Sequence, residues 1–392
     1  MTLKSIIKNP CSWYFLIWLL QAVHEPLKLY GDSISVLILF VLYAWSFYHF
    51  CFANVRYGNS QFLRAWNSMY IMFMLYGLYE MINTENHSRL YIIQHCTSML
   101  PIYSFYVYAD KGYLNADLFK KWSLILLPIA LVTFFYGQDL AYQLLNRSDV
   151  KGVTNNMGYS IAMIIPMFYF WRKKTIVMFL GLTVITLLTL LSLKRGAILV
   201  AAVGLLLILC QIIINNKRNK KFVVLAISAL FIWGVTYFLQ QQLITNDYML
   251  ERIVQTINGD SSGRYDIFTD AYKYITTEMT TLESIFGIGA NGCFKAIKIE
   301  AHNDWIETFM SLGAIGSIIF IWLWISAYQT YRRFCDSDIK FLFGLVMSLL
   351  FVRTFFSMSI GDIYVYSTSI LGYCLACEYR HRNSLPRKKY WS

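Results

Sequence analysis

Residues 175–214 read TIVMFLGLTVITLLTLLSLKRGAILVAAVGLLLILCQIII. Two apolar runs, about 175–192 and 197–214, each reach the roughly 17 to 25 residues that carry a helix across ~30 Å of hydrocarbon. Lys194 and Arg195 stand between them, so the two spans are joined by a very tight polar turn. Working outward, similar runs fill the 392-residue chain, and the reading is of about twelve spans: 11–28, 33–52, 66–83, 89–108, 122–138, 156–171, 175–192, 197–214, 222–240, 304–327, 340–359 and 362–379. With 57% hydrophobic and 14% charged residues, the chain is far more apolar than soluble proteins, in which about 25% of residues are charged. The expected fold class is an all-α polytopic membrane protein, with 1–392 as a single membrane domain. The first run follows Lys4 and Lys8, but no small-residue cleavage site follows His24-Glu25-Pro26, so it reads as a retained span.

Placing the N-terminus in the cytoplasm puts 22 of the 34 lysines and arginines on the inner side. Each of the seven inner segments is basic, from Lys4 and Lys8 at the start to the expected cytoplasmic tail 380–392 with Arg380, Arg382, Arg387, Lys388 and Lys389. This is the positive-inside pattern, with both termini cytoplasmic. The formal charge of +12 is therefore mostly topological. It is spread over short loops rather than gathered into a stripe for nucleic acid, and the tail suits anionic membrane lipids. Cys293 is the one cysteine this map puts in an outer loop, which argues against a disulfide framework. Cys374 and Cys377 sit a helical turn apart within an apolar span, where small thiols commonly pack.

Two outer loops are longer than the rest. The loop at about 138–155 carries Arg147 and Lys151. The large outer loop, 241–303, is long enough to hold short helices. In it, Tyr248, Ile253, Val254 and Ile257 recur at helical spacing and predict a short helix ending near Asn258-Gly259. Ser261-Ser262 then offer caps for a second helix, with Arg264 in its first turn and Ile267, Phe268, Ala271, Tyr272 and Ile275 at helical period. Ile285-Phe286-Gly287-Ile288-Gly289-Ala290-Asn291-Gly292 reads as a glycine-punctuated turn.

Four arginines stand out by position: Arg147, Arg195, Arg264 and Arg353, the last inside the eleventh span toward its outer end. Intramembrane cations are costly and usually face protein or a watery cavity. Guanidinium groups converging on one face would make a site for phosphate or pyrophosphate. Each alone also reads as a cation snorkelling to headgroups. His302 enters the head of the tenth span, and its position is open between a helix cap and a proton acceptor, imidazole being the side chain that changes charge near neutral pH.

Glu300, His302 and Asp304 alternate, but they diverge once the helix begins and no second histidine is near, so a metal is not expected. Asp336-Ser337-Asp338 resembles a nucleotide-sugar D-x-D yet sits in a short inner loop and reads as a solvated turn. There is no Walker-type glycine loop and no G-x-S-x-G elbow. A transporter would more often bury charges at the midplane in two related halves, whereas here the unusual residues gather toward one surface. A transporter for lipid-linked glycans is kept as the reading of a different class.

Three stretches resemble the O-antigen polymerase and O-antigen ligase superfamily of bacterial envelope glycosyltransferases. Leu191-Ser192-Leu193-Lys194-Arg195-Gly196-Ala197 looks like the family's S-x-[SKR]-R-G outer turn. Gly263-Arg264 with Ile285-Phe286-Gly287-Ile288-Gly289 looks like its large outer loop. Ala301-His302-Asn303-Asp304-Trp305 with Leu312-Gly313-Ala314-Ile315-Gly316 looks like its closing histidine and G-x-x-G signature. Arg147 also precedes Gly158 by eleven positions, an arginine-glycine spacing similar to that of some polymerases, whereas Arg264 has no glycine at that distance.

The resemblance implies a fold like the GT-C class of lipid-linked-sugar glycosyltransferases, with 241–303 as a large periplasmic loop. It implies metal-independent, inverting transfer, without cofactor, on the periplasmic face of the inner membrane. The partners would be undecaprenyl-pyrophosphate-linked oligosaccharides as donor and acceptor, and a chain-length regulator. By the same carry-over His302 would be the general base, and Arg195 and Arg264 would bind pyrophosphate. Arg147 joins them from the shorter loop, and Arg353 from its depth in the bilayer. The expected activity is polymerisation of O-antigen or a related surface polysaccharide; the ligase reaction onto lipid A-core is the alternative.

Overall fold

A computed structural model describes residues 9–27, 31–57, 60–83, 95, 98–145, 155–215, 218–245, 250, 254, 264–357 and 363–384. Among them the regular structure is helical, without strands. In chain order the helices are α1 (Pro10–Leu27), α2 (Asp32–Tyr57), α3 (Gln61–Asn83), α4 (Pro101–Asp110), α5 (Ala116–Leu145), α6 (Met157–Ala162), α7 (Ile165–Phe168), α8 (Thr175–Leu191), α9 (Arg195–Asn215) and α10 (Arg218–Thr245). There follow α11 (Arg264–Thr277), α12 (Thr281–Phe286), α13 (Gly292–Ile297), α14 (Asp304–Arg333), α15 (Ser337–Thr354) and α16 (Val365–Ser384). Among the described residues, four stretches are long and apolar enough to cross a membrane: Ser33–Asn54, Ala116–Gln138, Arg195–Asn215 and Asp304–Arg333; Met157–Trp171 and Thr175–Leu191 are shorter apolar helices.

The chain divides into two compact units, one of residues 1–18, 36–115 and 263–392, the other of 19–35 and 116–262. In the first, α4 lies against α16, α3 runs along α14, and α12 and α13 also pack on α14. A Cβ on Gly372 would come 2.6 Å from the Ile102 carbonyl oxygen, so glycine lets α16 and α4 approach backbone to backbone. Two buried polar groups there find partners, which offsets the cost of taking them out of water: the Trp66 indole donates to the Met99 carbonyl at 3.1 Å, and His49 meets Ser104 at 3.0 Å.

In the second unit the expected span 156–171 is broken into α6, α7 and a 3-10 turn, Tyr169–Trp171. Pro166 explains the break, because it has no amide to continue the hydrogen-bond ladder and opens α7 instead. Gly181 of α8 admits the Phe168 ring against its backbone. The tight turn after α8 places Leu193 at φ 54°. It is held by the Asn155 amide donating to the Ser192 carbonyl at 2.8 Å and the Lys194 ammonium donating to the Asn156 side-chain oxygen at 2.9 Å.

Several boundaries differ from the sequence expectation. α5 runs to Leu145 and α10 to Thr245, so the described helices enter both expected outer loops. α16 continues to Ser384, into the expected tail 380–392, where Arg382 bonds Glu378 one turn earlier at 2.7 Å and basic residues favour a helix C-terminus. Residues 385–392 lie outside the described residues, as does most of the helix expected between Tyr248 and Ile257.

α14 departs most from the expected uninterrupted span 304–327. Gly313 has φ 64° and ψ −162°, which no helix contains, so the helix is broken there. Residues 314–333 form about 30 Å of helix at 1.5 Å per residue, the thickness of a bilayer core. The carbonyls released above the break are taken by the glycine turn: the Ile288 amide donates to the Met310 oxygen at 2.9 Å and the Gly289 amide to the Ser311 oxygen at 3.1 Å. A side chain on Gly313 would overlap the Ile285 carbonyl and the Gly287 amide.

Candidate functional site

In the first unit the short helices α11, α12 and α13 meet the broken end of α14. α11 is described from Arg264 onward and buries Ala271; Ser261-Ser262, its expected caps, lie outside the described residues. α12 opens with a capping box: the Thr280 hydroxyl accepts from the Glu283 amide, and the Glu283 carboxylate accepts from the Thr280 amide. Ile285 and Phe286, expected in the glycine turn, are the last residues of α12, and the irregular stretch is confined to Gly287–Asn291. Ala271, Cys293 and Ala301 then form a small buried cluster with Ile297 and Ile306 packed on it, tying α11, α13 and the head of α14 together.

His302 follows Ala301 directly. It is exposed and has φ 48°, a left-handed backbone that non-glycine residues seldom adopt. The cap of α14 is Asn303, whose side-chain oxygen accepts from the amides of Trp305 at 2.9 Å and Ile306 at 3.2 Å. The cap role open to His302 on sequence is thus filled by its neighbour. Ala301 and Asn303 are buried on either side, so the backbone that presents the imidazole is fixed.

Trp305, the second residue of α14, donates from its indole to the Thr354 hydroxyl at 3.0 Å and stacks on Phe355, with ring centres 5.8 Å apart. This pins the head of α14 to the end of α15, where Arg353 is 2% exposed with its guanidinium 4.8 Å from the centre of the Tyr364 ring. Arg264 arrives at the same segment from α11, donating to the Phe356 carbonyl at 3.1 Å, with its guanidinium 5.8 Å from the centre of the Phe356 ring. Three of the five expected residues, His302, Arg264 and Arg353, therefore belong to elements fastened to residues 353–357. Arg195 stands in the other unit as the half-buried first residue of α9, and Arg147 lies outside the described residues. An exposed imidazole with guanidiniums anchored by aromatic rings and a carbonyl suits proton acceptance beside an anion.

Sequence reasoning missed two buried carboxylates. Glu80 of α3 is 2% exposed and accepts from the Ala290 amide at 3.0 Å, and the Lys295 ammonium pairs with it. Glu307 of α14 is 1% exposed and accepts from the Ser311 hydroxyl at 2.6 Å, while the Ser311 oxygen accepts from the Gly292 amide at 2.8 Å. The available signal was an acidic residue inside an apolar run, which needs a partner.

Cys293 is buried, and that burial, with Glu307 and Glu300 adding to it, pushes the thiol up to about 12. Since the thiolate is the reactive form, maleimide near neutral pH is expected to label Cys293 at least about tenfold more slowly than exposed Cys335. Peptide mass spectrometry of the native protein checks this.

Residues 180–321 match the family model Wzy_C, O-antigen ligase. The match supports the O-antigen polymerase and ligase superfamily that the motifs resemble. The matched residues 180–321 contain Arg195, Arg264, His302, Gly313 and Gly316; Arg147, Arg353 and Glu80 fall outside them. No curated protein matches the chain.

Proposed function

We propose that this chain is a glycosyltransferase that joins undecaprenyl-pyrophosphate-linked glycan repeat units on the periplasmic face of the bacterial inner membrane. It would thus polymerise O-antigen or a related surface polysaccharide. The observation that carries the reading is the exposed, left-handed His302, relieved of capping by Asn303, on elements fastened to the segment that Arg264 and Arg353 also reach. Twelve spans with both termini cytoplasmic would put this corner on the periplasmic side.

In the proposed step the acceptor sugar hydroxyl attacks the anomeric carbon of the donor glycan and its proton passes to the His302 imidazole. The anomeric C–O bond to pyrophosphate breaks and the electron pair leaves with that oxygen, inverting the anomeric centre. Arg264 is assigned to the pyrophosphate, where fixed guanidinium charge stabilises a leaving anion without a metal; Arg195, Arg147 and Arg353 are carried only as sequence-based candidates for the same role. The ligase reaction, transfer to lipid A-core, is the second reading, favoured by the description of the matched family model.

Purified protein given lipid-linked repeat units is expected to produce a ladder of longer lipid-linked chains. Product formed only when lipid A-core is supplied would transfer the assignment to the ligase. Arg264→Ala is expected to lower turnover by about 100-fold or more, the scale of losing one charge-stabilising donor, in a protein that still elutes as a single species. Wild-type turnover in that variant would remove Arg264 from the pyrophosphate site.

A further inference from the structure

Glu80 is a carboxylate near the end of α3 and almost wholly buried. Burying a charge is costly unless it is both paired and hydrogen-bonded. Its partners come from a segment more than two hundred residues away: the Ala290 amide at 3.0 Å and the Lys295 ammonium. Tyr76, one turn earlier on the same face of α3, donates its hydroxyl to the Phe286 carbonyl. The end of α3 thus grips the outer loop at three places. Gly289, at φ 96°, lies directly beneath the ion pair, and a Cβ there would overlap the Glu80 carboxylate and come 2.8 Å from the Lys295 nitrogen.

Ala290 lies just before α13 and Lys295 within it, so Glu80 holds both the entry to that short helix and the helix itself. α13 in turn supplies Cys293 to the cluster that buries Ala301, the residue before His302, and Ala271 of the helix that begins at Arg264. One carboxylate on α3 therefore anchors the piece on which both the His302 backbone and the Arg264 helix rest. We propose that Glu80 is a positioning residue of the glycan-transfer site: through Lys295 and α13 it sets where His302 stands relative to Arg264. It is not assigned a contact with substrate, and its catalytic consequence rests on the function proposed above.

The test compares wild type, Glu80→Gln, Lys295→Gln and the double variant as full-length protein in nanodiscs. Glutamine keeps the acceptor for the Ala290 amide and removes the charge. Hydrogen exchange over residues 286–297 is expected to quicken about tenfold in each single variant, since these amides lose the pair that holds them. With lipid-linked repeat units, kcat is expected to fall about tenfold or more while KM stays within about twofold, and the double variant is expected to be no worse than the lower single, because the two residues act as one unit. If Glu80→Gln does not fold, Lys295→Gln, at a partly exposed position, carries the comparison. Unchanged exchange overturns the anchor. Faster exchange with wild-type kcat, or a raised KM with kcat intact, overturns the positioning role. A wild-type chain that forms no glycosidic bond overturns the functional reading and the catalytic consequence drawn from it, while the exchange comparison still decides whether Glu80 holds α13.

Discussion

His302→Asn is expected to lower turnover of lipid-linked glycan by about 10²–10⁴-fold, the usual contribution of a positioned general base, with little change in the thermal midpoint. Asparagine is the informative replacement because it tolerates the left-handed backbone that His302 adopts at φ 48°. The helix keeps its cap, since Asn303 supplies it. The loss therefore reports the imidazole rather than the fold. Turnover within a few-fold of wild type, measured with purified protein and lipid-linked repeat units, would mean that the proton leaves by another route.

Gly313→Ala is expected to have the largest effect on stability. A side chain at φ 64° and ψ −162° costs roughly 1–3 kcal/mol by itself. Here it would also overlap the Ile285 carbonyl and the Gly287 amide, driving the glycine turn off the broken helix. The hydrogen bonds from Ile288 and Gly289 to the Met310 and Ser311 carbonyls would go with it, at about 1 kcal/mol each. The expected loss is about 3 kcal/mol or more, seen as a thermal midpoint lower by about 5 °C or more or as failure to accumulate. Gly234→Ala is the control: nothing lies within 4 Å of its added carbon, and alanine favours a helix by about 0.8–1 kcal/mol. Equal midpoints in the two variants would show that the break at Gly313 is not required.

The sequence exposed what repeats. The run from Thr175 to Ile214 announced α8, α9 and the turn at Lys194-Arg195, because apolar length and a polar interruption are local properties. The period of Ile267, Ala271 and Ile275 likewise announced α11. What escaped depends on partners far away in sequence. Gly313 sits in an apolar run that reads as continuous helix; its φ/ψ is made tenable by the amides of Ile288 and Gly289, which no local pattern couples to it. Pro166 was a local signal for the break between α6 and α7, but apolar length outweighed it.

The candidate site shows the same division. His302, Arg264 and Arg353 were legible as charges at unusual places, yet their association with residues 353–357 runs through Thr354 and Phe356, ordinary residues on sequence alone, and through Trp305, whose motif did not reveal its partner. Glu80 was visible as an acid within an apolar helix, but its meaning lay in Ala290 and Lys295. Buried charges are thus worth reading as halves of pairs whose other half has still to be found.

The most direct measurement is the formation of glycosidic bonds by purified wild-type and His302→Asn protein, each with lipid-linked repeat units and excess chelator. Undiminished chain growth is expected from the wild type in chelator and almost none from the variant. Loss of wild-type product on chelation, equal growth by His302→Asn, or movement of lipid-linked glycan across the bilayer without a new glycosidic bond would contradict the proposed function.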